Sequence, residues 1–123
     1  MIKNIDLITD KTEKFSLQNI RYIVGFFLSF QNELPEKTSL LDIDFIYEDD
    51  KKQYIVRLRF YNPESINFES GGPYHQININ IHDIRDRGWE VKNYEVFDYE
   101  EDTLSFYCAK IEAISVKETI YII

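Results

Sequence analysis

Apolar and polar residues alternate through most of the chain after Leu40, and that alternation predicts β-strands. The clearest stretch is residues 40–61. Leu41, Ile43, Phe45 and Tyr47 alternate with Asp42, Asp44, Ile46 and Glu48; Tyr54, Val56, Leu58 and Phe60 alternate with Ile55, Arg57, Arg59 and Tyr61. The polar sequence Asp49-Asp50-Lys51-Lys52 predicts a turn between them. With Glu48 opposite Gln53, Asp44 meets Arg57, Asp42 meets Arg59, and the apolar sets share the other face. A one-residue slip destroys both matches, so the register is well specified. Each charge pair is worth roughly 0.2–1 kcal/mol, which gives Arg57 and Arg59 a structural role first.

Asn62-Pro63 ends this hairpin, because proline cannot donate to a ladder. Ile66–Glu69 reads as a short strand and Ser70-Gly71-Gly72-Pro73 as a loop. His75–Ile84 alternates strictly and reads as one strand with a wet face. Arg85–Gly88 is a charged turn. Trp89–Phe97 and Thr103–Cys108 predict a second hairpin, with Tyr94 opposite Phe106, Val96 opposite Leu104 and Asp98–Asp102 as its loop. The apolar phase then slips between Cys108 and Ile111, which calls for a bulge or strand break near Ala109–Lys110. The apolar tail Ile120–Ile123 reads as a last strand; left unpaired it would be a sticky end.

Before Leu40 the pattern is less decided. Residues 1–15 read as a short strand or an irregular arm. Ser16 resembles a helix N-cap, with Phe15 and Ile20 placed as a hydrophobic staple. Leu17, Ile20, Val24 and Phe27 recur at helical spacing, Ile23, Phe26 and Phe30 widen the stripe, and Pro35 lies just past its end. The competing reading is a strand, because Ile20, Tyr22, Val24, Phe26, Leu28 and Phe30 also alternate. With the helix preferred, the expectation is an α+β, β-rich fold: five to seven antiparallel strands, as a sheet or sandwich, with one helix near the N-terminus.

At 123 residues, 44% hydrophobic and 15% aromatic, the chain reads as a single globular domain over 1–123, with a core that needs no disulfide or metal. The net charge of −8 disfavours nucleic acid and anionic membranes as partners and favours a basic one. Cys108 is the only cysteine, which suits a reducing compartment. No signal peptide is visible, and Ile20–Phe30 is too short and too interrupted to span a bilayer. The expected location is the cytoplasm.

Candidate chemistry is thin. His75 and His82, the two histidines, sit seven apart on the expected strand and point to opposite faces. His82 could act as a lone general base, yet no nucleophile is identified for it. Cys108 falls with Leu104 and Phe106 on an apolar face, as a buried inert thiol would. Asp98-Tyr99-Glu100-Glu101-Asp102 spaces its acids like calcium ligands, but it lacks a calcium loop's glycine, distal glutamate and flanking helices. Gly71-Gly72-Pro73 is no phosphate loop. No cofactor or metal is expected, and no catalytic residue is assigned.

The acids themselves are clustered. Leu41–Asp50 and Tyr94–Asp102 hold ten of the 22 carboxylates and no basic residue. Acids mixed with tyrosines can form an interface in which charge steers a basic partner and aromatics anchor it. The candidate contact set is therefore Tyr47, Asp49 and Asp50 at one turn, and Tyr94, Asp98, Tyr99, Glu100, Glu101 and Asp102 at the other. The bland alternative is a pair of charged turns that keep strand edges soluble.

The helix-like Leu17–Phe30, the Leu41–Tyr47 strand, Tyr54–Phe60 and the late Tyr94–Asp98 and Leu104–Cys108 pair together resemble a group of small acidic bacterial proteins. These have an N-terminal helix and an antiparallel sheet, and they include immunity proteins of polymorphic toxin systems. The resemblance implies a non-enzymatic protein that binds a cognate toxin, often a basic nuclease. It carries over no functional residue. Two other functions remain open: a small-ligand or carbohydrate-binding β domain, which an exposed Trp89 beside Tyr74 in a concavity would favour, and an enzyme using His82 with carboxylates.

Overall fold

The computed structural model describes residues 1–32, 37–50 and 52–122. Pro35, Lys51 and Ile123, used above to mark a helix end, a turn and the tail, lie outside the described residues. In chain order the elements are β1 (Ile2–Lys3), α1 (Asp6–Thr9), β2 (Ile20–Gln31), β3 (Thr38–Asp49), β4 (Lys52–Tyr61), β5 (Glu64–Phe68), β6 (His75–Gln76), β7 (Ile79–Asp83), β8 (Tyr94–Asp98), β9 (Leu104–Cys108) and β10 (Lys110–Thr119). They form a six-stranded sheet in the order β1-β10-β4-β3-β2-β6 and a four-stranded sheet in the order β5-β9-β8-β7. The fold is β-rich as expected, but with ten strands among the described residues rather than five to seven. One pairing, β1 with β10, is parallel.

The expected helix over Leu17–Phe30 is not there. Only one turn of 3-10 helix, Leu17–Asn19, follows Ser16, whose side chain caps nothing, and β2 begins at Ile20. Two bulges in β2, between Ile20 and Tyr22 and between Ile23 and Gly25, explain the false signal. They break the two-residue alternation, so that inward-facing Ile20, Ile23 and Phe26 fall three apart and imitate a helical stripe.

The first hairpin matches its expected register throughout. Asp42 pairs with Arg59, Asp44 with Arg57 and Glu48 with Gln53. Both arginines grip their partners bidentately: Arg57 donates to Asp44 at 2.8 and 3.0 Å, Arg59 to Asp42 at 2.9 and 3.0 Å. Each carboxylate holds its guanidinium's pKa above the ordinary value. Phe27 lies on the same face, with the Arg57 guanidinium 5.1 Å from its ring. Gly25 makes room for that ring, since a Cβ there would meet the Phe27 edge at 2.7 Å.

The second hairpin differs by two residues from its expected register: Tyr94 faces Cys108 and Val96 faces Phe106. A two-residue shift keeps every side chain on its face, so alternation cannot detect it. His75–Ile84 is not one strand. β6 belongs to the large sheet and β7 to the small one, with the chain crossing between them at Ile77-Asn78. The expected break near Ala109 is another crossing, where the chain leaves β9 in the small sheet and enters β10 in the large one. Over its described residues the tail adds no strand: Tyr121 packs on Tyr22 at 5.3 Å and its N–H donates to Gln53, while Ile120 and Ile122 stay exposed.

The two sheets share one core. Leu41, Ile43, Phe45, Val56, Leu58 and Phe60 of the large sheet meet Ile79, Val96, Leu104, Phe106 and Cys108 of the small one. Phe60 and Phe106 touch across it edge to face, centroids 4.9 Å apart. Phe106→Ala should remove the small sheet's main anchor and cost about 3–5 kcal/mol. Urea denaturation of the two proteins measures this as a lowered midpoint.

Candidate functional site

The β8–β9 loop is built around one buried acid. Asp98 is 2% exposed; its Oδ1 accepts from the N–H groups of Glu100 (2.9 Å) and Glu101 (3.2 Å), and its Oδ2 accepts from the Thr103 hydroxyl (2.9 Å). Because that hydroxyl donates to Asp98, it accepts from His75 Nε2, 3.1 Å away. The Tyr99 N–H donates to the Asn78 carbonyl, and Asp102 closes the loop at φ 55°. Asp98 thus turns its neighbours outward: Tyr99, Glu100, Glu101 and Asp102 are all exposed.

Three of the nine candidate contact residues are internal. Asp98 has just been placed. Tyr47 has no exposure; its ring stacks on Phe15, and its hydroxyl accepts from the Ser16 N–H and donates to the Lys14 carbonyl. Tyr94 is 7% exposed, with the Arg85 guanidinium 5.8 Å from its ring. These three hold the fold and offer no face to a partner. Asp50 is exposed and Asp49 half-buried, but Lys11 and Lys52 share their depression, which also includes Tyr54. The charge of that turn is partly offset.

The β8–β9 loop is different. One adjoining depression is lined by Glu69, Tyr74, His75, Glu101 and Thr103 among others, a second by Asn67, Glu69 and Asp102, and a third by Ser16, Gln18, Asn80 and Tyr99. None of the three is lined by a lysine or arginine among the described residues. Glu69 and Tyr74 join the site because the Glu69 N–H donates to the Thr103 carbonyl at 2.9 Å and His75 reaches Thr103. No local pattern in the sequence marks these two residues, since the contacts span about 28 and 34 positions. Gln18 of the Leu17–Asn19 turn shares a depression with Tyr99, and Lys11 shares another with Asp49 and Asp50.

The remaining reactive groups do not assemble. His82 is exposed, edge-on to Phe97 at 4.8 Å, and lines no depression described. Trp89 is half-exposed, but it packs on Tyr107 and under Lys92, whereas Tyr74 packs on Tyr22. Among the described residues no three His, Cys, Asp or Glu side chains gather into a metal site, and no helix is long and apolar enough to cross a membrane.

Fold and site together define a two-sheet β protein with three exposed acids, Glu100, Glu101 and Asp102, on a loop ordered by Asp98. A family model described as "Immunity protein PIM8" matches residues 8–114, and the chain belongs to that family. Membership implies a partner toxin protein and a non-enzymatic role. No curated protein and no solved structure matches the chain.

Asp98→Ala strands two amides and a hydroxyl and should cost about 1–3 kcal/mol. Asp98→Asn keeps the Oδ1 acceptor, and Thr103 can rotate to accept from the new amide, so its effect should be much smaller. Hydrogen exchange at the Glu100 and Glu101 amides separates the two variants. Cys108 gives a pH test. Burial pushes its thiol up to about 12, whereas an unfolded thiol titrates near ~8.5. The folded state holds the extra proton between these values, so stability is full below the lower one and declines as pH rises toward the upper. Between pH ~9 and ~11 the urea midpoint should fall more steeply for the native protein than for Cys108→Ala.

Proposed function

We propose that this chain is a cytoplasmic immunity protein that binds a basic toxin through its β8–β9 loop. Tyr99, Glu100, Glu101 and Asp102 form the contact, flanked by Glu69 and Tyr74, with Asp49 and Asp50 adding a weaker field at the neighbouring turn. The observation that carries this reading is the charge around the loop: two adjoining depressions hold Glu69, Glu101 and Asp102, a third holds Tyr99 with Gln18 and Asn80, and no lysine or arginine lines any of them among the described residues. A basic surface is steered toward such a patch, and Tyr99, 54% exposed, supplies an aromatic anchor at its centre. A loop already ordered by Asp98 also loses little conformational freedom on binding.

The test uses the protein encoded in the reading frame beside this one as the candidate toxin. Glu100→Lys with Glu101→Lys should slow association roughly 10–1,000-fold at low salt, whereas Glu90→Lys, the same change on another exposed residue, should leave it within about threefold. Native association should weaken steeply as salt rises, and the double variant should lose most of that dependence. Equal affinity for the native protein and the double variant would remove the loop from the interface.

A further inference from the structure

A second surface has the opposite character. β2 pairs with β3 along its length, but on its other side β6 meets only Tyr22 and Ile23. Among the described residues, nothing pairs with β2 from Val24 to Gln31 on that side. Residues 22–32 contain no charged side chain, and Val24, Phe27, Leu28 and Phe30 are 40, 52, 42 and 78% exposed.

The other sheet edges are guarded in the usual ways. β1 is two residues long and carries Lys3. The open side of β10 has a bulge between Ala113 and Ser115, then Lys117 and Glu118. β5 is bulged at Ser65, φ 55°, and β7 is short and ends on His82-Asp83. Among the described residues, only β2 presents a long uncharged edge, regular from Gly25 to Gln31 beyond its bulges.

The direction of its free groups follows from the ladder. The Asn62 N–H donates to the Ser39 carbonyl, so the odd residues of β3 point their backbone groups at β4 and the even residues point theirs at β2. Asp42 and Leu40 therefore bond Phe27 and Ser29, their partners in the register. The N–H and C=O groups of Phe26, Leu28 and Phe30 are left aimed outward. These three side chains also share the inward face: Phe26 stacks on Phe68 of β5, ring centroids 4.4 Å apart, while Leu28 and Phe30 stay exposed.

We propose that this edge pairs with the same edge of a second copy of the chain. A two-fold axis at Leu28 sets Leu28 opposite Leu28 of the second copy and Phe26 opposite its Phe30, and all three free residues of each strand find partners in one antiparallel ladder. Charge selects the occupant. Two copies at −8 each repel one another over most of their surface, and the uncharged strip is where they can approach. A basic partner gains nothing there that the acidic loop does not offer more strongly. Closure around a two-fold also uses up the edge, which would otherwise nucleate open-ended association. The pairing needs no residue of the acidic loop, so it stands or falls separately from toxin binding.

Sedimentation equilibrium of the purified chain between ~1 and ~300 µM tests it, since an interface this small is expected to hold in the micromolar range. The native protein should show a monomer–dimer equilibrium. Leu28→Pro removes an N–H that β3 does not use, so the monomer should keep its far-ultraviolet spectrum while the dimer weakens at least a hundredfold. Phe30→Glu, at a side chain already exposed, should do the same without any backbone change. A native protein monomeric at every concentration would overturn the proposal, as would a dimer untouched by Phe30→Glu. If the native chain is monomeric and Leu28→Pro instead abolishes binding of the neighbouring-frame toxin, the edge belongs to the toxin and self-pairing is wrong.

Discussion

The sharing of one core by two sheets of unequal length governs this structure. The central strands of the large sheet run 10 or 12 residues, whereas every strand of the small sheet has five. At about 3.3 Å per residue that is roughly 33–40 Å against 17 Å. Phe60 and Phe106 mark where the sheets meet. The chain crosses between them at short connections, Asn62-Pro63 and Ala109, and the Ala109 N–H donating to the Tyr61 carbonyl pins these two crossings together. What lies beyond the small sheet must manage without its cover. Leu28 faces inward beside fully buried Leu41, yet is 42% exposed.

Charge is distributed to match. On the outer face of the large sheet Asp42 and Asp44 are consumed by Arg59 and Arg57, and Glu112 accepts from Tyr61 and Asn4. These acids contribute to the composition but little to the outward field. The carboxylates of the β8–β9 loop have no such partners among the described residues. Their loop spends one acid, Asp98, on its own architecture, which leaves the other three fixed and outward-facing. A flexible loop of the same composition would present the same charge with a larger ordering cost on binding.

How much of this was legible varied with how many independent signals agreed. The β3–β4 register was readable because charge pairs and apolar parity pointed to the same pairing. The β8–β9 register was missed by two because only parity was available, and parity repeats every second residue. β2 misled because bulges at two places gave it a helical period, and the unbroken alternation of Tyr22, Val24, Phe26 and Leu28 followed no real face. Within the proposed site, Glu100 and Glu101 were named from local acidity, and both are exposed. Asp98 and Tyr94 were grouped with them by proximity in sequence, although strand alternation turns both inward. Glu69 and Tyr74 could not be found, because only the fold of the small sheet brings them to the loop.

The acidic loop and the uncharged edge lie toward opposite ends of β2. Its N-terminal end adjoins the Leu17–Asn19 turn, which shares a depression with Tyr99, and its C-terminal half carries the free edge. An antiparallel pairing of two β2 strands reverses their directions, so the acidic loops of the two copies point away from each other. That arrangement separates the like charges that most oppose association and leaves both loops open. A parallel pairing would bring the loops to the same end, where eight net charges per copy would work against it. The uneven charge proposed to draw a basic partner to one end of the molecule thus also sets the sense in which two copies would join at the other.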